Sequence, residues 1–252
     1  MLAGLKKISY VILVLAVLSA PKARAGEKLT VAAAANLSVA LKELGAAFEK
    51  ASHVTPVLSF GDTVGLTRQI EEGAPYDVFL SADTVHVKDL DSGGFIFPDT
   101  ATVYARGQIV VVWNKRYLSG PVGIDGLSGP GVKRIAIANP AHAPYGIAAM
   151  EALKSVGIWD KIKDKLVYGE NIRQTLQFVQ SGDAQAGIVA LSIADVPEVG
   201  YTNIDQALYR PINQAACVIK TAKDEKAARE FIGFIKGPVG RKILVKYGFG
   251  VD

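Results

Sequence analysis

The 252-residue chain has one cysteine, three histidines, two methionines and two tryptophans. With Cys217 alone, no disulfide can close within the chain, and no Cys-x-x-Cys exists to hold a metal or run thiol redox chemistry. Cys217 stands in Ala215-Ala216-Cys217-Val218-Ile219, an apolar run that reads as a buried strand. His53, His86 and His142 are far apart, off metal-ligand spacing, and read as surface residues. There is no His-Glu-x-x-His, no Gly-x-Ser-x-Gly, no Walker loop and no Gly-x-Gly-x-x-Gly after a strand, and Ser38 and Lys42 miss Ser-x-x-Lys spacing by one residue. Asp77 and Asp83 flank a strand, but nothing marks them as an acid/base pair. These absences argue against an enzyme and imply no cofactor.

A long hydrophobic run is absent too. The longest near the start, Ile8 to Ala20, falls short of the ~18 residues needed to span a membrane. It follows Lys6 and Lys7 and precedes the small-x-small end Ala23-Arg24-Ala25, the layout of a secretory signal. Cleavage is expected near Ala25, making residues 1–25 a signal peptide; an anchor that stays attached is the alternative. No cysteine follows the segment, which excludes a lipid there. The formal net charge of +4 also resides here: Lys6, Lys7, Lys22 and Arg24 face no acid, and the remaining bases match the 24 acids one for one. The basic balance of the whole chain therefore does not point to nucleic acid. An exported, monomeric protein of the bacterial periplasm fits these observations.

After the signal, strand-like and helix-like patterns alternate. Leu29–Ala34, Val54–Phe60 and Asp77–Leu80 read as strands, with helices at Leu37–Lys50 and Leu66–Glu72, a βαβαβ order that implies a mainly parallel sheet. A second series has strands at Ile109–Trp113, Arg134–Ala138, Leu166–Tyr168 and Ala186–Leu191, with helices at Tyr145–Val156 and Ile172–Ser181. A loop-rich stretch around Pro197–Gln206 leads to a strand at Ala216–Lys220 and helices at Asp224–Lys236 and Val239–Tyr247. Two α/β units result. The last elements are expected to return to the first, giving a discontinuous lobe of 26–107 plus 212–252 and a second lobe of 108–211.

Four times a strand runs through a loop of small residues into a helix start: Ala32–Ser38, Ser59–Gly65, Asn139–Gly146 and Gly169–Ile172. Helix starts expose unpaired backbone N–H groups at the positive end of the helix dipole, and ligands of open α/β sheets gather at such loops. Asn36, Ser38 and Thr63 can add side-chain donors. Any one of these residues alone is as well explained as an ordinary helix cap. Two units facing each other with several such loops would make a cleft that closes on an anion.

At these residues the sequence resembles the periplasmic molybdate-binding proteins of ABC importers, across nearly all of the chain after the signal. The resemblance is carried by Val31–Leu37, Ser59-Phe60-Gly61, the long block Leu66–Asp83, Asn139–Gly146, Gly187-Ile188-Val189-Ala190 and Lys246-Tyr247-Gly248-Phe249. It implies the type II periplasmic binding protein fold, two α/β lobes with a hinge and an interlobe cleft. It also implies a membrane permease with a cytoplasmic ATPase as partner, and molybdate or tungstate as ligand; sulfate or phosphate is the alternative. The metal would be reached only through the oxyanion's oxygens, with no direct metal ligand. The family's donors fall on Asn36, Thr63 and the backbone N–H groups of Tyr145 and Ile172, with Ala35, Val64 and Ala190 as subsidiary positions. Many relatives place a tyrosine hydroxyl where this chain has Ala190, and the Tyr145 hydroxyl is the candidate substitute. Asp62 stands where relatives usually carry a small neutral residue. It would repel a dianion, cap the following helix while pointing away, or accept a hydrogen bond from the proton of hydrogen phosphate.

Overall fold

The computed structural model describes residues 26–251, so the expected signal, 1–25, lies outside the described residues. β1 (Glu27–Ala34), β2 (Val54–Gly61) and β3 (Val78–Leu80) run parallel, joined through α1 (Ala40–Ser52) and α2 (Thr63–Glu71). After α3 (Val85–Ser92) and β4 (Thr102–Gly107), the chain enters a second sheet at β5 (Ile109–Asn114). There follow β6 (Ile135–Ala138), α4 (Pro144–Ser155), the short α5 (Trp159–Ile162), β7 (Leu166–Gly169), α6 (Ile172–Ser181), β8 (Ala186–Ala190) and β9 (Val199–Asn203). β10 (Ile212–Val218) returns to the first sheet, and α7 (Glu225–Lys236) and α8 (Pro238–Lys246) pack beside α1. The strand orders are β2-β1-β3-β10-β4 and β7-β6-β8-β5-β9, one sheet for each of two lobes.

The first sheet is covered on both faces, so the inner half of β1, Val31–Ala34, is apolar and buried at successive residues rather than alternating. Leu29, Val31 and Ala33 face α1, α7 and α8, while Ala32 and Phe79 face α2 and α3. Leu41, Leu44 and Phe48 make one stripe of α1, and the Phe48 ring meets Phe231 and Phe234 edge-on at 4.9 and 5.5 Å. Cys217 is fully buried in β10, and burial pushes its thiol up to about 12. No helix among the described residues is long and apolar enough to cross a membrane.

Each sheet is mainly parallel, as expected, with one strand reversed: β10 runs antiparallel to β3 and β4, and β5 antiparallel to β8 and β9, because each crossing strand enters the other lobe's sheet from the opposite end. Other expectations need correction. Leu37 is not in α1; Ala35–Leu37 forms a separate 3-10 turn closed by Ser38 N–H to Ala35 O. α2 begins at Thr63, three residues before Leu66, because the Asp62 side chain caps it. β9 lies where a loop was expected; it is an edge strand with a half-exposed pattern, interrupted by Gly200. His86 and His142 are half-buried rather than at the surface.

Candidate functional site

The turn at the end of β1 and the starts of α2, α4 and α6 meet between the lobes. They enclose a cavity of about 20 Å3, on a measure by which one water needs roughly 10–15 Å3. Ala34, Ala35, Asn36, Gly61, Asp62, Thr63 and Ala82 line it from one lobe, and Ala143, Pro144, Tyr145, Asn171 and Ile172 from the other. A space this small suits one compact ion. Of the residues expected at the site, Asn36, Thr63, Tyr145, Ile172 and Ala35 are brought together here. Val64 is one residue inside α2 and outside the lining, and Ser38 is buried away from it. Ala190 is fully buried at the end of β8, paired with Ile109, and does not reach the cavity.

Each helix start presents N–H groups that helix geometry leaves without an internal acceptor. In α2, Asp62 Oδ1 accepts from Gly65 N–H at 2.7 Å and Asp62 O from Leu66 N–H at 3.1 Å, so Thr63 and Val64 N–H precede the helical bonding. In α4, Pro144 has no N–H and Ile147 N–H reaches Ala143 O, which leaves Tyr145 and Gly146. In α6, Asn171 Oδ1 takes Arg173 and Gln174 N–H, which leaves Ile172. Thr63 Oγ1 accepts a long bond from Ala82 N–H at 3.4 Å, and its own proton remains to be donated. Among the described residues, no lysine or arginine lines the cavity, and no group of acidic, histidine or cysteine residues could hold a bare metal ion.

Asp62 is therefore a helix cap, its carboxylate folded back onto Gly65. That settles one of the three sequence readings, although its charge stays beside the cavity. The Tyr145 hydroxyl, the candidate substitute for the tyrosine absent at position 190, is buried against Gln214, whose Nε2 donates to it at 2.6 Å, and burial pushes its pKa above the usual tyrosine value. His142 stands at the start of α4 with Nδ1 unpartnered and Nε2 3.9 Å from Glu170, while Nδ1 of His86 pairs with Asp83 at 2.8 Å.

Two buried hydrogen bonds tie the lobes together beneath the cavity: Gln214 to Tyr145, and Ser192 Oγ to Asn36 O at 2.8 Å. Gln214 was missed from the sequence, yet its signal was present: with Asn213 it interrupts the otherwise apolar strand Ile212–Val218. Ala34, Ala35 and Ala82 of one lobe pack into the apolar core of the other at the same place, so the lobes meet as a closed pair.

Two α/β lobes that close on a small cavity of helix starts define a solute-binding protein, built to hold and release a ligand. Residues 29–250 match the family described as bacterial extracellular solute-binding protein, and the chain belongs to that family. It is 37% identical over 231 residues to the molybdate-binding protein ModA of Azotobacter vinelandii, covering 89% of this chain and 90% of the relative. It is 36% identical over 231 residues to that of Rhodobacter capsulatus, covering 90% and 89%. The solved Azotobacter vinelandii periplasmic molybdate-binding protein matches with a TM-score of 0.80 at 31% identity, over 89% of this chain and 99% of that one. The sulfate-binding protein SubI of Mycobacterium tuberculosis, 15% identical, shares the fold, with a TM-score of 0.78 over 90% of this chain and 88% of its own.

Proposed function

We propose that this protein captures molybdate, and tungstate with it, and delivers the anion to an ABC permease in the inner membrane. The carrying observation is the donor set. Residues at three helix starts, Thr63 among them, line one ion-sized space together with Asn36 and with no cationic side chain, which supports a site of neutral donors. Hydrogen bonds to a charged partner are worth ~1.5–3 kcal/mol each, so a handful can hold a dianion without a cation. Molybdate and tungstate carry no proton at neutral pH and suit donors alone, whereas hydrogen phosphate needs an acceptor. The one carboxylate present, Asp62, is occupied by the N-terminus of α2.

On this reading the oxygens of the anion contact Asn36, Thr63 and the N–H groups of Tyr145 and Ile172, with Ala35 and Val64 as neighbours, and no protein atom touches the metal. The lobes are 26–107 with 212–252, and 108–211, and the protein works as a monomer in the periplasm after losing residues 1–25. It carries its ligand without chemical change. Calorimetric titration of ligand-stripped protein with molybdate, tungstate, sulfate and phosphate tests this. Molybdate and tungstate should bind most tightly, and tighter binding of sulfate or phosphate would overturn the specificity.

A further inference from the structure

Asn36 is 1% exposed and lines the cavity, yet its Oδ1 has no hydrogen-bond partner. Its Nδ2 points the other way, to Gln214 Oε1 at 3.1 Å. That Gln214 oxygen also accepts from the Tyr104 hydroxyl at 2.8 Å, and Gln214 Nε2 reaches the Tyr145 hydroxyl at 2.6 Å. This polarity leaves a buried carbonyl as the free end of Asn36 at a site made of donors. The two ends of an amide have the same shape, so the same positions support the reversed polarity. With both amides turned over, Gln214 Nε2 donates to Asn36 Oδ1 and to the Tyr104 hydroxyl, and Tyr145 donates to Gln214 Oε1. Tyr104 then donates a hydrogen bond to Ser81 O, 3.4 Å away. Every member is used, and the group left free on Asn36 is Nδ2, a donor.

We infer that Gln214 is a positioning residue for the anion site: its amide, oriented by Tyr104 and Tyr145, turns the N–H end of Asn36 toward the bound oxyanion. Tyr145 stands on α4 in the opposite lobe, so the orienting bond forms only when the lobes meet. Closure and the polarity of Asn36 are thereby one event. The inference rests on the anion-binding reading above and adds to it the residue that fixes donor direction.

Gln214→Glu and Gln214→Met separate the possibilities. A carboxylate at 214 only accepts, so it draws Nδ2 of Asn36 inward and leaves Oδ1 facing the anion. Molybdate affinity should fall about 100-fold or more, from the lost charge-assisted bond and the carbonyl in its place. Gln214→Met makes no hydrogen bond and leaves Asn36 free to turn, so the loss should stay within about tenfold. Repulsion by the new charge is isolated in an Asn36→Ser background, where a hydroxyl chooses its own direction. There Gln214→Glu should cost less than about tenfold. Melting without ligand checks that each variant folds. Equal losses for Glu and Met, or a Glu loss undiminished in the Asn36→Ser background, would overturn the inference. If the unaltered protein prefers sulfate, the same comparison is run with sulfate and only the specificity reading is lost. If it binds neither anion, both readings fall.

Discussion

Gly146 is the second residue after Pro144 at the start of α4, packed directly on the end of β6. A Cβ placed there would lie 2.2 Å from Ala138 O, 2.7 Å from Ala138 C and 2.9 Å from Asn139 C. These are backbone atoms and cannot rotate aside. Carbon and oxygen rest no closer than about 3.3 Å, so Gly146→Ala forces the start of α4 back by about 1 Å. Tyr145 lines the cavity from this turn, and if its N–H holds the anion as proposed, a retreat of that size takes a bond of ordinary length beyond ~3.5 Å, where it ceases to count. One charge-assisted bond is worth ~1.5–3 kcal/mol, so molybdate affinity should drop by about 10- to 100-fold. Overpacking should also cost stability, about 1–3 kcal/mol. Calorimetry of anion binding and urea unfolding of the ligand-free protein measure the two separately. Unchanged affinity with lowered stability would refute the placement of the Tyr145 N–H at the anion; no change in either would refute the close packing.

Thr63→Ala should weaken molybdate binding by about tenfold or more, read by calorimetry, because its hydroxyl proton has no other assignment in the site. Asp62→Ser keeps a good cap and removes a like charge worth ~1 kcal/mol through screened solvent, so affinity should rise about fivefold with little change in melting temperature. His86 and Asp83 give a pH signature. The hydrogen bond that His86 donates to the Asp83 carboxylate raises the His86 pKa, and although burial pushes Asp83 up, the bonds from His86 outweigh it and hold it low. The raised histidine stabilises below its ordinary value and the lowered carboxylate above its own, so the pair is worth most between about pH 3.9 and 6.5. His86→Gln should cost about 0.5 kcal/mol in urea unfolding within that window, and the penalty should fade as pH rises through the elevated His86 pKa.

Much of the site was legible because its residues stand at helix starts, where local sequence governs. Asp62 and Asn171 are short polar residues ahead of periodic apolar runs, and both cap as their type prefers. Pro144 followed by Tyr145-Gly146 marked the start of α4. Less legible was anything set by contacts far apart in sequence. Gln214 and Asn36 are 178 positions apart, and Ser192 and Asn36 156 apart, so no window of sequence contains either pair. The bond between Gln214 and the Tyr145 hydroxyl was out of reach for the same reason, since its partners are 69 positions apart.

By itself the sequence determined the class of fold, the elements that carry the loops, and the absence of catalytic or metal-binding motifs, since period, caps and composition are local properties. It also located the charge excess in residues 1–25. Tertiary structure decided which loops meet, that β10 and β5 run against their neighbours, that Ala190 and Val64 fall outside the cavity, and that Asp62 turns back on its own helix. Those outcomes depend on burying both sheets against their covering helices at once, an energy shared across the fold and written in no single segment of it.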